Sequence, residues 1–576
     1  MMLLTRRIAV AAFALYALAF SPAHAQRGIA FEQLPPVRPV AARNGMVVTQ
    51  EARASRIGVE VLRRGGNAVD AAVAVGFAMA VTYPRAGNVG GGGFMVIHLA
   101  RGNRQVAIDY RERAPARTTR DTYLDERGEA DPRKTRETGL AVGVPGTVAG
   151  LALAHRKYGS GKFRLADLIA PAIAMARHGI PVEDDTADSL PYVRDKFVRW
   201  PASAKIFLRR DGKVLQPGDR LIQRDLAATL GAVARHGPRG FYEGAVAEKI
   251  AAAVQAAGGL MTADDLKNYR PVERDVVRGR YRGYDIVSMA PPSSGGVLLI
   301  QMLNMLEGYK LRAGDPATLH LMIEVMKRAY ADRAQFLGDP DFSTIPAAEL
   351  MSKRYAEARR EGIDRERAQP ARDVRPGEPA RFGGDNTTHY SVVDRFGNAV
   401  SNTYTINSSY GLGLVAEGTG VLLNDELDDF AAKPGAPNAF GLIGLNEANA
   451  PGPDKRPLSS MTPTVVLRDG RPVLITGSPG GSRIITVVLQ IVLNVIDHRM
   501  SVDRAVHAPR IHHQWVPDET IVEASLPAAA VKALEARGHR VSRRPLTTSA
   551  NSIMVTRQGL IGAADSRTRG ALAAGY

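Results

Sequence analysis

The chain of 576 residues contains no cysteine. Thiol catalysis, thiolate metal sites and disulfide staples are therefore excluded, so an enzyme of this sequence must use an oxygen or nitrogen nucleophile or a metal-bound water. Aromatic residues are scarce as well, 6% in all with two tryptophans, which leaves few rings for stacking bases. The net charge of +17 raises nucleic acid as a partner. However, Arg and Lys are spread among acids, with no long basic run and no zinc-finger spacing, so the charge reads as a solvated surface and no nucleic-acid partner is expected. Long apolar runs are missing too. The apolar stretch Ile8 to Phe20 is too short to span a bilayer comfortably. Arg6 and Arg7 precede it and Ala23-His24-Ala25 follows it, the layout of a signal peptide over residues 1–25. The expected product begins near Gln26, is periplasmic or secreted, and has no membrane anchor once the signal is removed.

What is present is 45% hydrophobic and 23% charged, a globular composition long enough for two domains or one large multilayer core. Gly45 to Thr49 reads as a strand, Ala52 to Arg64 as a helix, and Ala68 to about Val81 as a small-residue helix stopped by Pro84. Gly90 to Gly93 form a four-glycine turn before a buried strand, Phe94 to Leu99. Helices and polar loops fill 145–270. A strand near Ile286 to Met289 leads through Pro291-Pro292-Ser293-Ser294-Gly295-Gly296 into a helix from about Val297 to Leu306. Asp364 to Gly384 is rich in Arg, Pro, Gly and Asp and reads as a flexible connector open to a chain break. Beyond it Thr388 to Val393 and Ala399 to Ile406 are strand-like, joined through Gly397 in a left-handed position. If Asp394 faces Asn398, antiparallel register sets Thr405 opposite Thr387. Strands follow at Thr464 to Leu467 and Val473 to Thr476, then a helix from Arg483 to about Ile496. The mixture points to antiparallel sheets covered by helices.

Four places could carry chemistry. In Asp385-Asn386-Thr387-Thr388-His389 the connector runs straight into a strand. A threonine freed as an N-terminus could use its own α-amine as base, because that amine titrates near neutrality; otherwise these threonines are ordinary strand formers. Gly477-Ser478-Pro479-Gly480-Gly481-Ser482 lies between a strand and a helix. It could form a phosphate cradle, although the Gly-Lys-Ser/Thr ending is absent, or an oxyanion hole from adjacent N–H groups, or a plain turn. The acids of Asn424-Asp425-Glu426-Leu427-Asp428-Asp429 could hold an ammonium group, or form a solvated turn; calcium-loop spacing is absent. His512 and His513 would point to opposite faces of a strand and suit structure better than metal. No metal or cofactor is expected.

Together, TTHYSVVD, NDELDDF, KRPLSSMTPT, TGSPGGSRIIT, GNVGGGGFM, DYRERAP and APPSSGG resemble, in order and spacing, the γ-glutamyltranspeptidase family over nearly the whole mature chain. The resemblance implies an α+β fold, the four-layer αββα sandwich of the N-terminal-nucleophile hydrolases. It implies self-cleavage between Asn386 and Thr387 into a large subunit, 26–386, and a small catalytic subunit, 387–576, which stay together as one heterodimer. It assigns Thr387 as nucleophile with its α-amine as base, Thr405 as its hydrogen-bond partner, and the N–H groups of Gly480 and Gly481 to the oxyanion. Arg111, Ser459 and Ser460 would clamp the substrate α-carboxylate, and Asn407, Glu426 and Asp429 would hold its ammonium. The implied reaction moves a γ-glutamyl group from glutathione or another γ-glutamyl compound, through an ester on Thr387, to water, an amino acid or a peptide.

Two departures stand out. Residues 433–444 match the substrate-covering lid of bacterial members, but Phe440 stands where many have Tyr, which implies a looser lid. Glu426 takes a place that is Gln in some members. The nearest rival is a related acylase that removes glutaryl side chains, whose substrate has no α-ammonium; retention of Asn407, Glu426 and Asp429 argues against it. A non-catalytic binder of the same fold would need neither Thr387 and Thr405 nor Arg111 and the glycine pair.

Overall fold

Period-two alternation, with both faces of each strand buried, organises the molecule. In Met46–Thr49, Val47 enters one apolar cluster while Met46 and Val48 enter another. Tyr390 and Val392 on the strand Thr388–Val393 share the first cluster, and Val393 the second. A sheet buried on both sides must lie between two other layers. The structure, a computed structural model, describes residues 36–378 and 388–576. Two seven-stranded sheets lie face to face. One runs, in spatial order, Leu572–Gly575, Met46–Thr49, Thr388–Val393, Ala399–Thr405, Gly92–Leu99, Arg104–Asp109 and Val272–Arg274. The other runs Val40–Ala42, Gly559–Ala563, Ser552–Thr556, Arg471–Thr476, Thr464–Arg468, Tyr284–Ser288 and Val277–Tyr281. All neighbours in both sheets pair antiparallel.

Helices cover both outer faces. Ala68–Thr82 is apolar all round and every one of its 15 residues is buried, as expected for a central helix. Asn67 starts it: its side chain accepts from Val69 N and Asp70 N, and the Asp70 carboxylate accepts from Asn67 N. Such a capping box contributes about 1 kcal/mol. Tyr390 and Tyr404 donate their hydroxyls to Ala72 O at 2.8 Å and Gly76 O at 3.1 Å, tying this helix to the two central strands. On the opposite face Gly295–Leu306, Pro316–Phe336 and Arg483–Ile496 pack on Ile286, Val466 and Leu474. The result is the expected αββα sandwich.

The layer between the sheets is partly polar. His389, Ser391, Ser401 and Thr403 of one sheet lie near Thr464, Thr476 and Ser552 of the other. Ser401 Oγ donates to Thr476 O at 3.0 Å and accepts from Thr464 N at 2.9 Å, and Ser391 Oγ donates to Asn551 O at 2.9 Å. A smaller apolar cluster, with Phe197, Phe207 and Tyr410 ring to ring, forms a side lobe around 180–221.

The connector differs from its composition. Ala371 and Val374 are buried; the indole N–H of Trp515 donates to both of their carbonyls, at 2.8 and 2.9 Å. Ala371 N donates to Asp518 and Gly377 N to Asp332. Irregular backbone is held here by side chains from elsewhere, so 371–377 is docked rather than loose; 379–384 lies outside the described residues, as do residues 1–25. Among the described residues no helix is long and apolar enough to cross a membrane.

Candidate active site

The hairpin after the connector fixes the register. Asp394 N donates to Asn398 O at 3.1 Å and Gly397 has φ +83°. The Asp394 carboxylate accepts from Phe396 N, Asn398 N and Nδ2, and Ala68 N, so the turn and the central helix share one anchor. Pairs run from Val393–Ala399 to Thr388–Tyr404, the register read from the sequence. Asn386 and Thr387 lie outside the described residues. Thr405 is the next residue along its strand and faces Gly92 on the other side. Its hydroxyl accepts from Asn407 N and its carbonyl from Asn88 Nδ2, both at 2.8 Å. The glycine run serves this approach: a Cβ on Gly91 would lie 2.0 Å from Thr405 O, and one on Gly90 2.1 Å from Leu422 O.

Arg111 leaves the end of the strand Arg104–Asp109 and is completely buried. Its Nε donates to Pro457 O at 3.0 Å, one terminal nitrogen pairs with Glu426, and the other donates to Asp429 Oδ2 at 2.6 Å. The family pattern sets cation and acids at two ends of a substrate; in the structure they form one buried ion cluster, because a buried charge without a partner is costly. Burial works against the Arg111 charge, but Glu426 and Asp429 outweigh it and hold its pKa above the ordinary value. Ser459 and Ser460, both fully buried, follow Pro457 and Leu458 on the same segment. Ser459 is seated by Pro292 O, which accepts from its N–H at 2.9 Å, and its own carbonyl accepts from Ser294 N at 2.9 Å.

The cluster carries more acid than base. Glu112, which no motif singles out, is fully buried with one oxygen 3.8 Å from the Arg111 guanidinium. Burial pushes its carboxyl up to about 7, with Arg111 opposing. Glu426 also lies well above the ordinary range through burial; Arg111 opposes, and Glu112, Asp429 and Asp425 add. The oxygens of Glu112 face its own N–H, the Gly92 N–H and the Glu426 carboxyl, while Asn407 Oδ1 has no hydrogen-bond partner among the described residues. Asn407 sits at φ +71° with Nδ2 donating to Asp425 O at 2.9 Å. The only sequence signal for Glu112 is its place beside Arg111 in DYRERAP.

The glycine loop joins the strand Arg471–Thr476 to the helix Arg483–Ile496. Gly480 and Gly481 have φ +133° and +65°, conformations that favour glycine. A Cβ on Gly480 would meet Thr548 at 2.5 Å, and one on Gly477 would meet the His389 ring at 2.4 Å. The loop therefore packs against the strand that follows Thr387. His389 is bonded to Thr403 Oγ1 at 3.0 Å and Ser391 Oγ at 2.9 Å, and burial brings its pKa down to about 3, so it is neutral. His512 bonds Thr486 and Gln514, and His513 bonds Asp518, structural roles as expected.

A grouping without ligand spacing in the sequence brings His320, Glu324 and His539 together, with potential ligand atoms within 4.8 Å of one another. Glu324 already meets two cations, Lys327 at 2.8 Å and Arg328 at 2.9 Å, and His320 Nδ1 faces His539 Nε2 at 2.8 Å. The trio belongs to a hydrogen-bonded cluster in which the one carboxylate is already taken up by two cations.

Comparison with known proteins points the same way. A family model described as Gamma-glutamyltranspeptidase matches residues 54–575. The chain is 48% identical over 542 residues to the glutathione hydrolase proenzyme of Escherichia coli, covering 93% of each. The crystal structure of cephalosporin acylase from Bacillus halodurans superposes with TM-score 0.83 at 26% identity, covering 95% of this chain and 98% of that one. That of Helicobacter pylori γ-glutamyltranspeptidase gives TM-score 0.56 at 42% identity, over 60% of this chain and 97% of that one. From its arrangement and its relatives alike, this chain belongs to the γ-glutamyltranspeptidase family.

Proposed function

We propose that the protein is an exported, self-cleaving enzyme that transfers or hydrolyses the γ-glutamyl group of glutathione and related compounds. The observation that carries this reading is the composition of the buried cluster. One guanidinium is surrounded by Glu112, Glu426 and Asp429, and beside them Asn407 Oδ1, an amide oxygen that can only accept, has no partner among the described residues. Buried acceptors call for a donor. An α-amino acid supplies an ammonium donor and, in the same group, a carboxylate for Arg111, Ser459 and Ser460. A glutaryl group supplies only the carboxylate. The cephalosporin acylase shares the fold, but this cluster favours a γ-glutamyl donor.

In the proposed mechanism cleavage after Asn386 frees the Thr387 amine. The amine takes the hydroxyl proton as Thr387 Oγ attacks the γ-carbonyl carbon, and the oxyanion is met by N–H groups of Gly480 and Gly481. The tetrahedral intermediate expels the amine of the leaving group, which takes the proton, and leaves a γ-glutamyl ester. Water or the amine of an amino acid or peptide then attacks the ester and restores Thr387. Thr405 lies directly beyond the last described pair of the hairpin, which supports its role as hydrogen-bond partner of the nucleophile. The large and small pieces, 26–386 and 387–576, both contribute strands to each of the two sheets, with Met46–Thr49 of the large piece lying between two strands of the small one, which favours a lasting heterodimer. Export rests on the N-terminal pattern over residues 1–25 and places the enzyme in the periplasm or outside the cell.

Two experiments test the proposal. On a denaturing gel the wild-type protein should give two bands, the smaller beginning at Thr387, while Thr387→Ala stays whole; an uncut wild-type chain after long incubation would count against it. The mature enzyme should then hydrolyse γ-glutamyl-p-nitroanilide far faster than glutaryl-p-nitroanilide. The opposite preference would assign it to the acylases.

A further inference from the structure

Gln514 stands outside every role assigned above, yet its side-chain amide joins two parts of the site. Nε2 donates to Phe440 O at 3.0 Å and to Val516 O at 3.3 Å. Both of these partners can only accept, so the orientation of the amide is fixed. Oε1 then accepts from Ser482 Oγ at 2.7 Å and from His512 Nε2 at 3.0 Å. His512 must carry its proton on Nε2, which leaves Nδ1 to accept from the Thr486 hydroxyl at 2.9 Å, whose proton it shares with Arg483 O at 3.0 Å. The amide thus makes four hydrogen bonds, two on each side.

The two sides belong to different devices. Phe440 lies in the lid-like segment, where Asn438 Oδ1 accepts from Phe440 N and Leu442 N, both at 3.0 Å, and Asn438 Nδ2 reaches Asp429 Oδ1 at 3.3 Å. Ala439 N donates to Asp428 Oδ2 at 2.7 Å. Ser482 directly follows Gly480-Gly481 and starts the helix Arg483–Ile496; its carbonyl is held by the Tyr330 hydroxyl. Within three bonded residues the chain of contacts runs from Asp429, through Asn438 and Phe440, to Gln514 and on to the end of the glycine loop.

We infer that Gln514 is a positioning residue that couples the seat of the 438–442 segment to the glycine loop, so that covering the substrate and setting the oxyanion donors occur together. The inference rests on the proposed γ-glutamyl chemistry for its kinetic consequence but not for its structural one. A further segment hydrogen-bonded only to a lid would rigidify it. One bonded also to Ser482 transmits displacement of the lid to the N–H groups beside it, because packed elements move as units.

The test compares wild type with Gln514→Glu and Gln514→Ala in the full-length, processed protein. Glutamate has the same size and keeps the acceptor for Ser482 and His512, but sets an anion against two carbonyl oxygens. Alanine removes both sides. Hydrogen exchange, which needs no substrate, should speed up at the Gly441 and Leu442 amides in both variants, by about five- to tenfold, the equivalent of one lost hydrogen bond. Near Ile484 it should speed up in Gln514→Ala more than in Gln514→Glu. With γ-glutamyl-p-nitroanilide, Gln514→Glu should raise KM more than it lowers kcat, and Gln514→Ala should lower kcat as well. Wild-type exchange at Gly441 and Leu442 in both variants would overturn the coupling, as would identical KM-to-kcat patterns in the two. Should wild type fail to turn over the anilide, the proposed activity falls, and the exchange result still decides the role of Gln514.

Discussion

A single side chain at this site often answers to two demands, and Arg111 is the clearest case. It stabilises a buried cluster in the free protein and, in the proposed mechanism, must release part of its hydrogen-bonding to a substrate carboxylate. The incoming ammonium compensates Glu426 and Asp429 as this happens, so charge balance is exchanged rather than broken. Removing the guanidinium alone strands the acids; Arg111→Ala should therefore cost about 3–5 kcal/mol by denaturant unfolding, the cost of breaking a buried pair. Glu112 gives a pH signature. Its carboxyl is raised from the ordinary value of 4.5 to about 7, so between these values the folded state holds a proton that the unfolded state has lost. Its contribution is fully present below pH 4.5 and is lost as pH rises through 7. Buried His389 and His512, both lowered to about 3, act with the opposite sign on the acid side, so the comparison needs a variant. Glu112→Gln should match wild type in urea near pH 4.5 and exceed it above pH 7; a difference independent of pH would remove Glu112 from this role. Gly91 is a residue-scale demand of another kind. Gly91→Ala would set a methyl 2.0 Å from Thr405 O, so it should destabilise by about 1–3 kcal/mol and slow self-cleavage, readable as uncut chain on a time course.

Among the elements, strands and long helices were legible because their physics is local. Ala52–Arg63, Ala68–Thr82 and Arg483–Ile496 fall within a residue or two of the ends read from periodicity and breakers. The hairpin register followed from Asp394, Asn398 and Gly397 alone. The docked connector was not legible, since its anchors, Trp515, Asp518 and Asp332, lie far away in sequence and composition cannot see them. Trp515→Phe keeps an aromatic ring, though a smaller one, and removes the N–H bonded to Ala371 and Val374. It should increase tryptic cutting after Arg372 (the Arg375–Pro376 bond resists trypsin), read by mass spectrometry; unchanged cutting would mean that packing alone holds the segment. The lid-like segment was legible as a match, but its attachment was not. Phe440 packs against the outer apolar cluster that also receives Trp515, so its ring has an anchor of its own despite the missing hydroxyl. The expectation of a looser lid is tested by hydrolysis rates of wild type and Phe440→Tyr, and identical kinetics would refute it.

At the scale of the whole molecule the main fact is interleaving. In the sheet that carries the site, Met46–Thr49 from before the expected cut lies between Leu572–Gly575 and Thr388–Val393 from after it, and Ala399–Thr405 is flanked by Gly92–Leu99. The family resemblance made this architecture expected; composition and periodicity gave only sheets covered by helices, because strand order is set by contacts far apart in sequence. The αββα layers, and the meeting of Arg111 with Glu426, are products of that order. The interleaving has a consequence for the life history of the protein. A precursor finds its strand order as one tethered chain, whereas two severed pieces, once unravelled, must meet from solution and thread into each other's gaps. Such assembly is second order and competes with aggregation of exposed strands. Activation would thus be a one-way passage: the uncut Thr387→Ala chain should regain its fold after dilution from denaturant, and the mature pair should not, so each mature molecule would carry a structure it could make only once.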